Sequence, residues 1–165
     1  MAFQVEDGTG LEDSNSYSSV ENADTYFSDR GNADWAAAEE EAKQQALIKA
    51  TDYIDGKYGR RWIGERGSSE QALEWPRIGA LDAVGEEIEG IPVKLERAVS
   101  EAALLILNGT DLFESLDRGG KVKRETVGPI TTEYADSAPA SAVYPSILRN
   151  IAALIRNRTE IRITR

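Results

Sequence analysis

Hydrophobic side chains recur at every third or fourth position in four stretches of the chain, as they do on one face of an α-helix. Pro92 opens one of these stretches and Asn108-Gly109 closes it, in keeping with the preference of proline for helix starts and of glycine for helix ends. This stretch is apolar on all sides from Ala102 to Leu107, so we expect it to be the most buried helix. The pattern predicts four helices, over residues 19–30, 34–55, 92–108 and 145–157.

Local signals indicate how the first two helices begin and what they contact. Ser18 and Glu21 have the spacing of a capping box, which predicts that the first helix begins there. In the second helix, Trp35 shares the apolar face with several alanines. Glu39 lies one turn before Lys43, so these two side chains can form an ion pair.

The rest of the chain predicts a hairpin and two arms. Residues 121–134 have β-prone side chains on both sides of Gly128-Pro129, which predicts a short β-hairpin. Turn-forming residues dominate the N-terminus, and apolar and basic residues alternate at the C-terminus. We therefore expect a mainly α fold, a small four-helix domain with a short β-hairpin and extended N- and C-terminal arms. It is a single domain over residues 1–165, divided into an arm 1–18, a helical body 19–157 and a tail 158–165.

A long segment, residues 56–90, separates the second and third helices and has no convincing regular element. Structureless loops of more than about 15 residues are uncommon in compact domains unless they are functional or packed. Trp75 and Pro76 place a large aromatic side chain beside a proline within this loop. We expect both to pack against the helix over residues 92–108.

The composition excludes several classes of function. Asp and Glu number 29 against 19 Lys and Arg, and the net charge of −10 repels phosphate backbones outside any local basic patch. The absence of cysteine and histidine removes thiolate and imidazole catalysis and the usual zinc sites, so we expect neither enzymatic activity nor a cofactor. No window approaches the ~18 consecutive apolar residues of a membrane span, and we expect a cytoplasmic protein where it is made. Asp7, Glu12 and Asp13 do not match the spacing of a calcium loop, which favours a solvated acidic loop.

A basic cluster and a tryptophan are candidates for binding single-stranded nucleic acid. Lys121, Lys123 and Arg124, with Tyr134 nearby, could let cations follow phosphates while an aromatic ring stacks on a base. Acidic residues in the same hairpin favour a solvated face or a protein contact instead. Trp62 follows two arginines, and its position is open between the core and a stacking surface.

Short blocks spread over nearly the whole chain carry a resemblance to a known family. They are Asp7-Gly8-Thr9-Gly10-Leu11, Asn15-Ser16-Tyr17, Ala23-Asp24-Tyr26-Phe27, Arg30-Gly31-Asn32, Ala46-Leu47-Ile48-Ala50-Thr51-Asp52-Tyr53-Ile54, Ala72-Leu73-Trp75-Pro76-Arg77, Ile91-Pro92 and Val127-Gly128-Pro129-Ile130. These blocks resemble tailed-bacteriophage proteins labelled DnaT-like single-stranded-DNA-binding. In organisation the chain is similar to head-tail connector (adaptor, or head-completion) proteins, which are small helical proteins that form a ring under the portal after DNA packaging.

The resemblance implies a structural role in the neck of a virion. The expected partners are identical subunits in a dodecameric ring, the portal protein and a tail-side stopper or neck protein, while genomic DNA passes the channel without specific binding. The alternative is a phage single-stranded-DNA-binding or primosomal accessory protein. That alternative predicts a basic groove with aromatic stacking, so the charge of −10 favours the connector.

We expect two contact surfaces. The resemblance implies that the end of the last helix and the tail reach the portal, and the hairpin has little of its own to pack on, so it is expected to pair with a neighbouring subunit or a tail-side partner. The predicted portal interface is Ile155, Arg158, Ile161, Arg162, Ile163 and Arg165, and the predicted inter-subunit or tail interface is Val122, Lys123, Arg124, Val127, Ile130 and Tyr134.

Overall fold

Five α-helices dominate the computed structural model, which describes residues 2–113, 125–127, 130–132 and 142–156. The helices are α1 (Val20–Ser28), α2 (Ala33–Ala37), α3 (Glu40–Tyr58), α4 (Val93–Leu107) and α5 (Pro145–Ile151), and a single turn of 3-10 helix (Gly59–Arg61) extends α3. The strands are β1 (Glu65–Arg66), β2 (Arg77–Ile78), β3 (Glu125–Val127) and β4 (Ile130–Thr132). The predicted fold, mainly α with a hairpin, is confirmed.

Helix α4 is the centre of the body, because α1, α2, α3 and α5 all pack against it. Leu95 and Val99 on its inner face are fully buried. Its last turn is less covered, and residues 104–107 are only half-buried. A helix that is apolar on all sides still has one side exposed when its neighbouring helices cover only part of its circumference.

The second predicted helix is two helices, α2 and α3, and the prediction of one continuous helix over 34–55 is wrong. Ala38 between them is extended, with ψ of 143°. The side chain of Asn32 caps α2 by accepting a hydrogen bond from the Trp35 amide at 2.9 Å. The separate short helix lets the Trp35 ring pack on Phe27 of α1, with ring centroids 4.9 Å apart. Packing of one aromatic pair outweighs the propensity of an alanine-rich segment to continue as helix.

The predictions of the N-cap of α1 and of the ion pair of Lys43 are also wrong. The N-cap of α1 is Ser19, whose Oγ accepts from the amide of Asn22 at 3.0 Å, whereas Ser18 is buried. Lys43 pairs with Asp24 of α1 at 2.9 Å in place of Glu39, since burial of its side chain points the ammonium toward the neighbouring helix.

The long segment between α3 and α4 contains a small antiparallel sheet, which the sequence interpretation missed. Strand β1 pairs with β2 in the register Glu65↔Ile78 and Arg66↔Arg77. Gly64 precedes β1 with φ of +67°, and a Cβ at this position would lie 2.6 Å from the carbonyl oxygen of Ile78. Only glycine allows the two chain segments to approach this closely.

The predicted hairpin is present as strands β3 and β4, which pair antiparallel with Val127 opposite Ile130. The remaining positions of the predicted hairpin range, 121–124, 128–129 and 133–134, lie outside the described residues, as does the tail from 157 onward. The N-terminal arm contains no helix, and it doubles back so that the Glu6 amide donates to the carbonyl of Ser16 at 2.9 Å. Helix α5 ends at Ile151, earlier than the expected residue 157.

Candidate functional site

A buried polar cluster joins the N-terminal arm, α3 and the long loop. The hydroxyl of Tyr17 in the arm donates to Asp55 Oδ2 in α3 at 2.6 Å. The backbone amide of Glu74 donates to the same oxygen at 3.1 Å, and the amide of Trp75 donates to the Tyr17 oxygen at 3.1 Å. The cluster therefore fixes two segments without helix to the end of one long helix.

Burial decides the protonation of this cluster. Removal from water raises the pKa of Asp55 to about 6, although the hydrogen bonds from Tyr17 and from the Glu74 amide favour the ionised form. The pKa of Tyr17 is raised well above its usual value by burial and by the adjacent Asp55. The carboxyl group of Asp55 thus titrates close to neutral pH, while Tyr17 keeps its proton and remains a donor.

Three polar atoms around this cluster are buried without a hydrogen-bond partner in the part of the chain that the structure describes. They are Asp55 Oδ1, Trp62 Nε1 and Trp75 Nε1. The two indole rings meet edge to face with centroids 6.1 Å apart. A buried polar atom without a hydrogen bond costs about 1–3 kcal/mol of folding free energy. The packing of the two indole rings therefore has to compensate for their N–H groups, which have no partner.

Arg77 of the Trp-Pro-Arg block connects this part of the long loop to the two residues before β1. Its guanidinium donates to the carbonyl oxygens of Ile63 at 2.8 Å, Gly64 at 3.1 Å and Glu74 at 3.1 Å, and it forms a 3.1 Å ion pair with the Glu74 carboxylate. Trp75 before it is fully buried, as predicted, and the Trp75–Pro76 peptide bond is cis. The expected packing of this block against α4 stays a prediction.

The arm has its own internal anchor. The buried carboxylate of Glu6 accepts from the amides of Gly8, Gly10 and Leu11 at 2.8–3.0 Å and from the hydroxyl of Ser14 at 2.8 Å. Glu6 carries no sequence signal for this role, because the amides and the hydroxyl that it accepts from are spread over seven positions of an irregular loop. No group of three or more acidic side chains is placed to hold a metal ion within residues 2–113 and 142–156.

The structure places few of the predicted interface residues on a described surface. Ile155 pairs antiparallel with Trp62 and is only 7% exposed, so its side chain belongs to the core. Val127 and Ile130 lie opposite each other at the inner ends of β3 and β4. The other predicted positions lie outside the described residues: Arg158, Ile161, Arg162, Ile163 and Arg165 of the portal set, and Val122, Lys123, Arg124 and Tyr134 of the hairpin set.

Apolar side chains that the sequence analysis did not select are exposed on the described surface. Ile78, Leu81 and Val84 follow one another in the long loop, with exposures of 63%, 53% and 81%. Val93, Phe113 and Val143 are the other large exposed apolar side chains of the described residues. Single exposed apolar residues are common, but three close together in one loop mark a candidate contact surface.

The aromatic residues lie mostly inside. All three tryptophans are buried, which decides that Trp62 is a core residue. Phe113 is the one largely exposed aromatic side chain among the described residues, and Tyr26 is partly covered by the guanidinium of Arg30, 3.7 Å above its ring. None of the described helices is long and apolar enough to cross a membrane.

A comparison with known families assigns the chain. Residues 1–165, the full length given, match the family described as "Putative DnaT-like ssDNA binding protein". The chain belongs to this family. The resemblance to DnaT-like proteins is therefore confirmed, and this match carries no statement about a head-tail connector. No curated protein and no solved structure matches the chain.

The description of this DnaT-like family indicates binding of single-stranded DNA, whereas the described surface lacks the features of such binding. Proteins that bind single strands combine a basic groove with exposed aromatic rings, each stacked base contributing about 1–3 kcal/mol. In this member of the family the tryptophans are in the core, and the chain carries a net charge of −10. The basic and aromatic cluster over residues 121–134 lies in the part of which only β3 and β4 are described.

Proposed function

We propose that the protein is a structural component of a tailed-bacteriophage virion, a head-tail connector that forms a dodecameric ring between the portal and the tail. The ring would complete the head after DNA packaging, and genomic DNA would pass through it without specific binding. Support comes from the similarity in organisation to connector proteins and from the described surface. The proposal includes no catalytic step and no cofactor.

The observation that carries this proposal is the separation of aromatic rings from the acidic exterior. Trp35, Trp62 and Trp75 are all buried, so their rings are not available to stack on bases. Acidic side chains outnumber basic ones over the chain, and a negative surface repels a phosphate backbone at distances up to about 10 Å at 0.1 M salt. A channel wall of this kind guides DNA without holding it.

Subunit contacts in the ring need apolar surface, and the described residues offer it. Phe113 is exposed after α4. The hairpin of β3 and β4 has two strands only, and in the described structure it pairs with no third strand, so its outer edges can receive a strand from a neighbour. We place the subunit interface at this hairpin and the portal contact at the tail.

The test of the connector is assembly in a phage that lacks the gene for this protein. We expect DNA-filled heads without tails, and we expect purified protein to restore tail attachment and infectivity. A variant lacking residues 160–165 should keep its helical circular dichroism and melting temperature and fail to attach to portal-bearing heads. Infectious tailed particles formed without the protein would contradict the proposal, and normal attachment of the truncated variant would exclude the tail as the portal contact.

Hydrogen exchange tests the hairpin separately. If β3 and β4 dock on a neighbouring subunit, their amides should exchange rapidly in the free protein and slowly in the assembled ring. Amides in the middle of α4 provide the internal control, because this helix is central to the core in both states. Equal exchange of the hairpin amides in the two states would remove it from the interface.

A second function, binding of single-stranded DNA in phage replication, is favoured by the family description. It would depend on residues 121–134, whose lysines and arginine lie outside the described residues. Fluorescence anisotropy with an oligo-dT probe at several salt concentrations separates the two functions. A true binder loses affinity steeply as salt rises, because bound phosphates release counterions. We expect no salt-dependent binding, and a steep slope would favour the second function.

A further inference from the structure

The loop over residues 78–89, here called the acidic loop, combines exposed apolar and acidic side chains. Ile78, Leu81 and Val84 are exposed by half or more. Its carboxylates are also exposed, and they are Asp82, Glu86, Glu87 and Glu89. The loop contains no lysine or arginine. A surface of this composition fits a partner that is basic and apolar at once.

Hydrogen bonds hold the acidic loop in one shape. The amide of Ile88 donates to the carbonyl of Ala80, and the amide of Asp82 donates to the carbonyl of Glu86, both at 2.8 Å. The Asp82 carboxylate accepts from the amides of Val84 and Glu86 at 2.9 and 3.0 Å. Ala80 anchors the base of the loop in the core. The apolar side chains are therefore held outward in advance, and little ordering of this surface is needed when a partner binds.

We propose that the acidic loop is the docking surface for the C-terminal segment, residues 157–165, of the same molecule. This segment carries Ile161 and Ile163 at alternating positions and three arginines, Arg158, Arg162 and Arg165. In an extended strand the two isoleucines project to one side, where they can cover Leu81 and Val84. An extended strand also places Arg165 on the side of the isoleucines, and Arg158 and Arg162 on the other side. The segment has three arginines against Glu160 and is net positive, whereas the loop has four carboxylates, which favours this pairing over docking on any neutral patch.

The position of the last described residue supports docking within one molecule. The Arg156 amide donates to the carbonyl of Arg61 at 2.7 Å, and its guanidinium donates to the carbonyl of Gly64 at 3.1 Å. Gly64 lies against the base of the acidic loop, since a Cβ placed there would be 2.8 Å from the amide nitrogen of Ala80. The segment from 157 to 165 spans up to about 30 Å when extended, enough to reach the tip of the loop. Tethering at this short distance raises the local concentration of the segment to the millimolar range.

Paramagnetic labelling in the free protein tests the proposal. The chain has no cysteine, so Ala83→Cys introduces a unique site for a nitroxide label at the tip of the loop, beside Val84 and exposed. We expect the label to cause loss of amide signals of residues 158–165 in an NMR spectrum. The matched control is Val143→Cys, another exposed position, from which the same residues should keep their signals. Equal signal loss from both positions, or none from Ala83→Cys, would overturn the proposal.

Two further measurements fix the partner and the charge dependence. Mixing isotope-labelled chains with spin-labelled chains reports contacts between molecules, and signal loss only in this mixture would replace the proposal with docking on a second copy.

The double variant Glu86→Gln with Glu89→Gln should weaken the loss of tail signals, whereas Glu12→Gln with Glu39→Gln, which changes the net charge equally, should not. An unchanged loss in the first pair, or in 1 M salt where the Debye length falls to about 3 Å, would overturn the electrostatic match. Failure of this contact leaves the connector proposal untouched, because tail attachment to heads is measured separately.

Discussion

Residues 71–77 and residues 81–87 are neighbouring stretches of one long loop with opposite surroundings. In the first stretch Gln71 and Trp75 are buried, and Arg77 donates to the carbonyl groups of Ile63 and Gly64. In the second stretch every residue is exposed. Both are ordered by hydrogen bonds, but those of the first reach across to the arm and to α3, whereas those of the second close within the loop.

A loop can therefore be ordered without contributing much to the stability of the domain. The buried stretch holds distant parts of the chain together through Tyr17 and Asp55, so its disruption affects the whole domain. The exposed stretch presents apolar side chains and contributes a surface. Substitutions in the two stretches should accordingly differ in their effect on the free energy of unfolding.

The largest effect is expected from Trp75→Ala. Trp75 is 0% exposed, and removal of a buried tryptophan side chain costs about 3–5 kcal/mol of unfolding free energy, through lost burial and the cavity left behind. Urea denaturation followed by circular dichroism measures this loss. Val84→Ala in the exposed stretch is the control and should change stability little. If the two variants had similar stabilities, the proposed contrast between the stretches would be wrong.

The free energy of unfolding should depend on pH through Asp55, which accepts a hydrogen bond from the Glu74 amide of the buried stretch. Its pKa of about 6 exceeds the unfolded value of 3.8, so the folded state holds the proton more tightly. Stability from this group is then fully present below about pH 4, is lost as the pH rises toward 6, and is constant above, a change of about 2–3 kcal/mol.

The measurement for Asp55 compares unfolding free energies of the wild type and Asp55→Asn from pH 4 to pH 7. The amide can still accept from Tyr17 but does not ionise, so the wild type should lose about 2–3 kcal/mol more than the variant over this range. Asp13→Asn, which removes an exposed carboxylate, is the control and should follow the wild type. Parallel curves for the wild type and Asp55→Asn would mean that Asp55 does not titrate in this window.

Arg77→Lys should have an intermediate effect. Lysine keeps the positive charge but lacks the planar group that reaches the carbonyls of Ile63 and Gly64 together, and we expect a loss of about 1–2 kcal/mol. Arg60, whose side chain is exposed, gives the matched control Arg60→Lys. Thermal melting of both variants measures the difference. Equal melting temperatures would show that a positive charge at this position is sufficient for the contact with residues 63–64.

The smallest effect on stability is expected in the acidic loop. In the variant lacking residues 160–165, Leu81→Ser with Val84→Ser should change the unfolding free energy by less than about 0.5 kcal/mol, because both side chains are exposed when no tail covers them. Chemical denaturation is the measurement, with the truncated protein at the same concentration as the reference. A larger loss in this truncated background would indicate that these side chains contribute to the folded body itself.

Sequence patterns anticipated the parts of the fold that depend on nearby residues. The helix that opens after Pro92 begins at Val93, and the segment with Gly128-Pro129 forms paired strands. The buried position of Trp75 was also expected from its place beside a proline in an overlong loop. In each case the signal lies within a few positions along the chain, where periodicity and turn chemistry act directly.

The errors arose where a distant residue decides the outcome. The helix break at Ala38 follows the packing of Trp35 on Phe27, and Lys43 takes Asp24 from another helix as its partner. Neither contact leaves a periodic signal in the sequence. The small sheet of β1 and β2 was missed because strands of two residues are too short to show an alternating pattern.

Periodicity, composition and short residue blocks are properties of the chain alone, so the mainly helical class, the acidic charge and the family could be predicted from them. Which polar groups are buried together depends on the folded structure. Tyr17, Asp55 and Trp75 are far apart in sequence, and their hydrogen bonds form only after the arm and the loop have folded onto α3. The pKa of Asp55 follows from that assembly, since desolvation depends on what surrounds a group in space rather than along the chain.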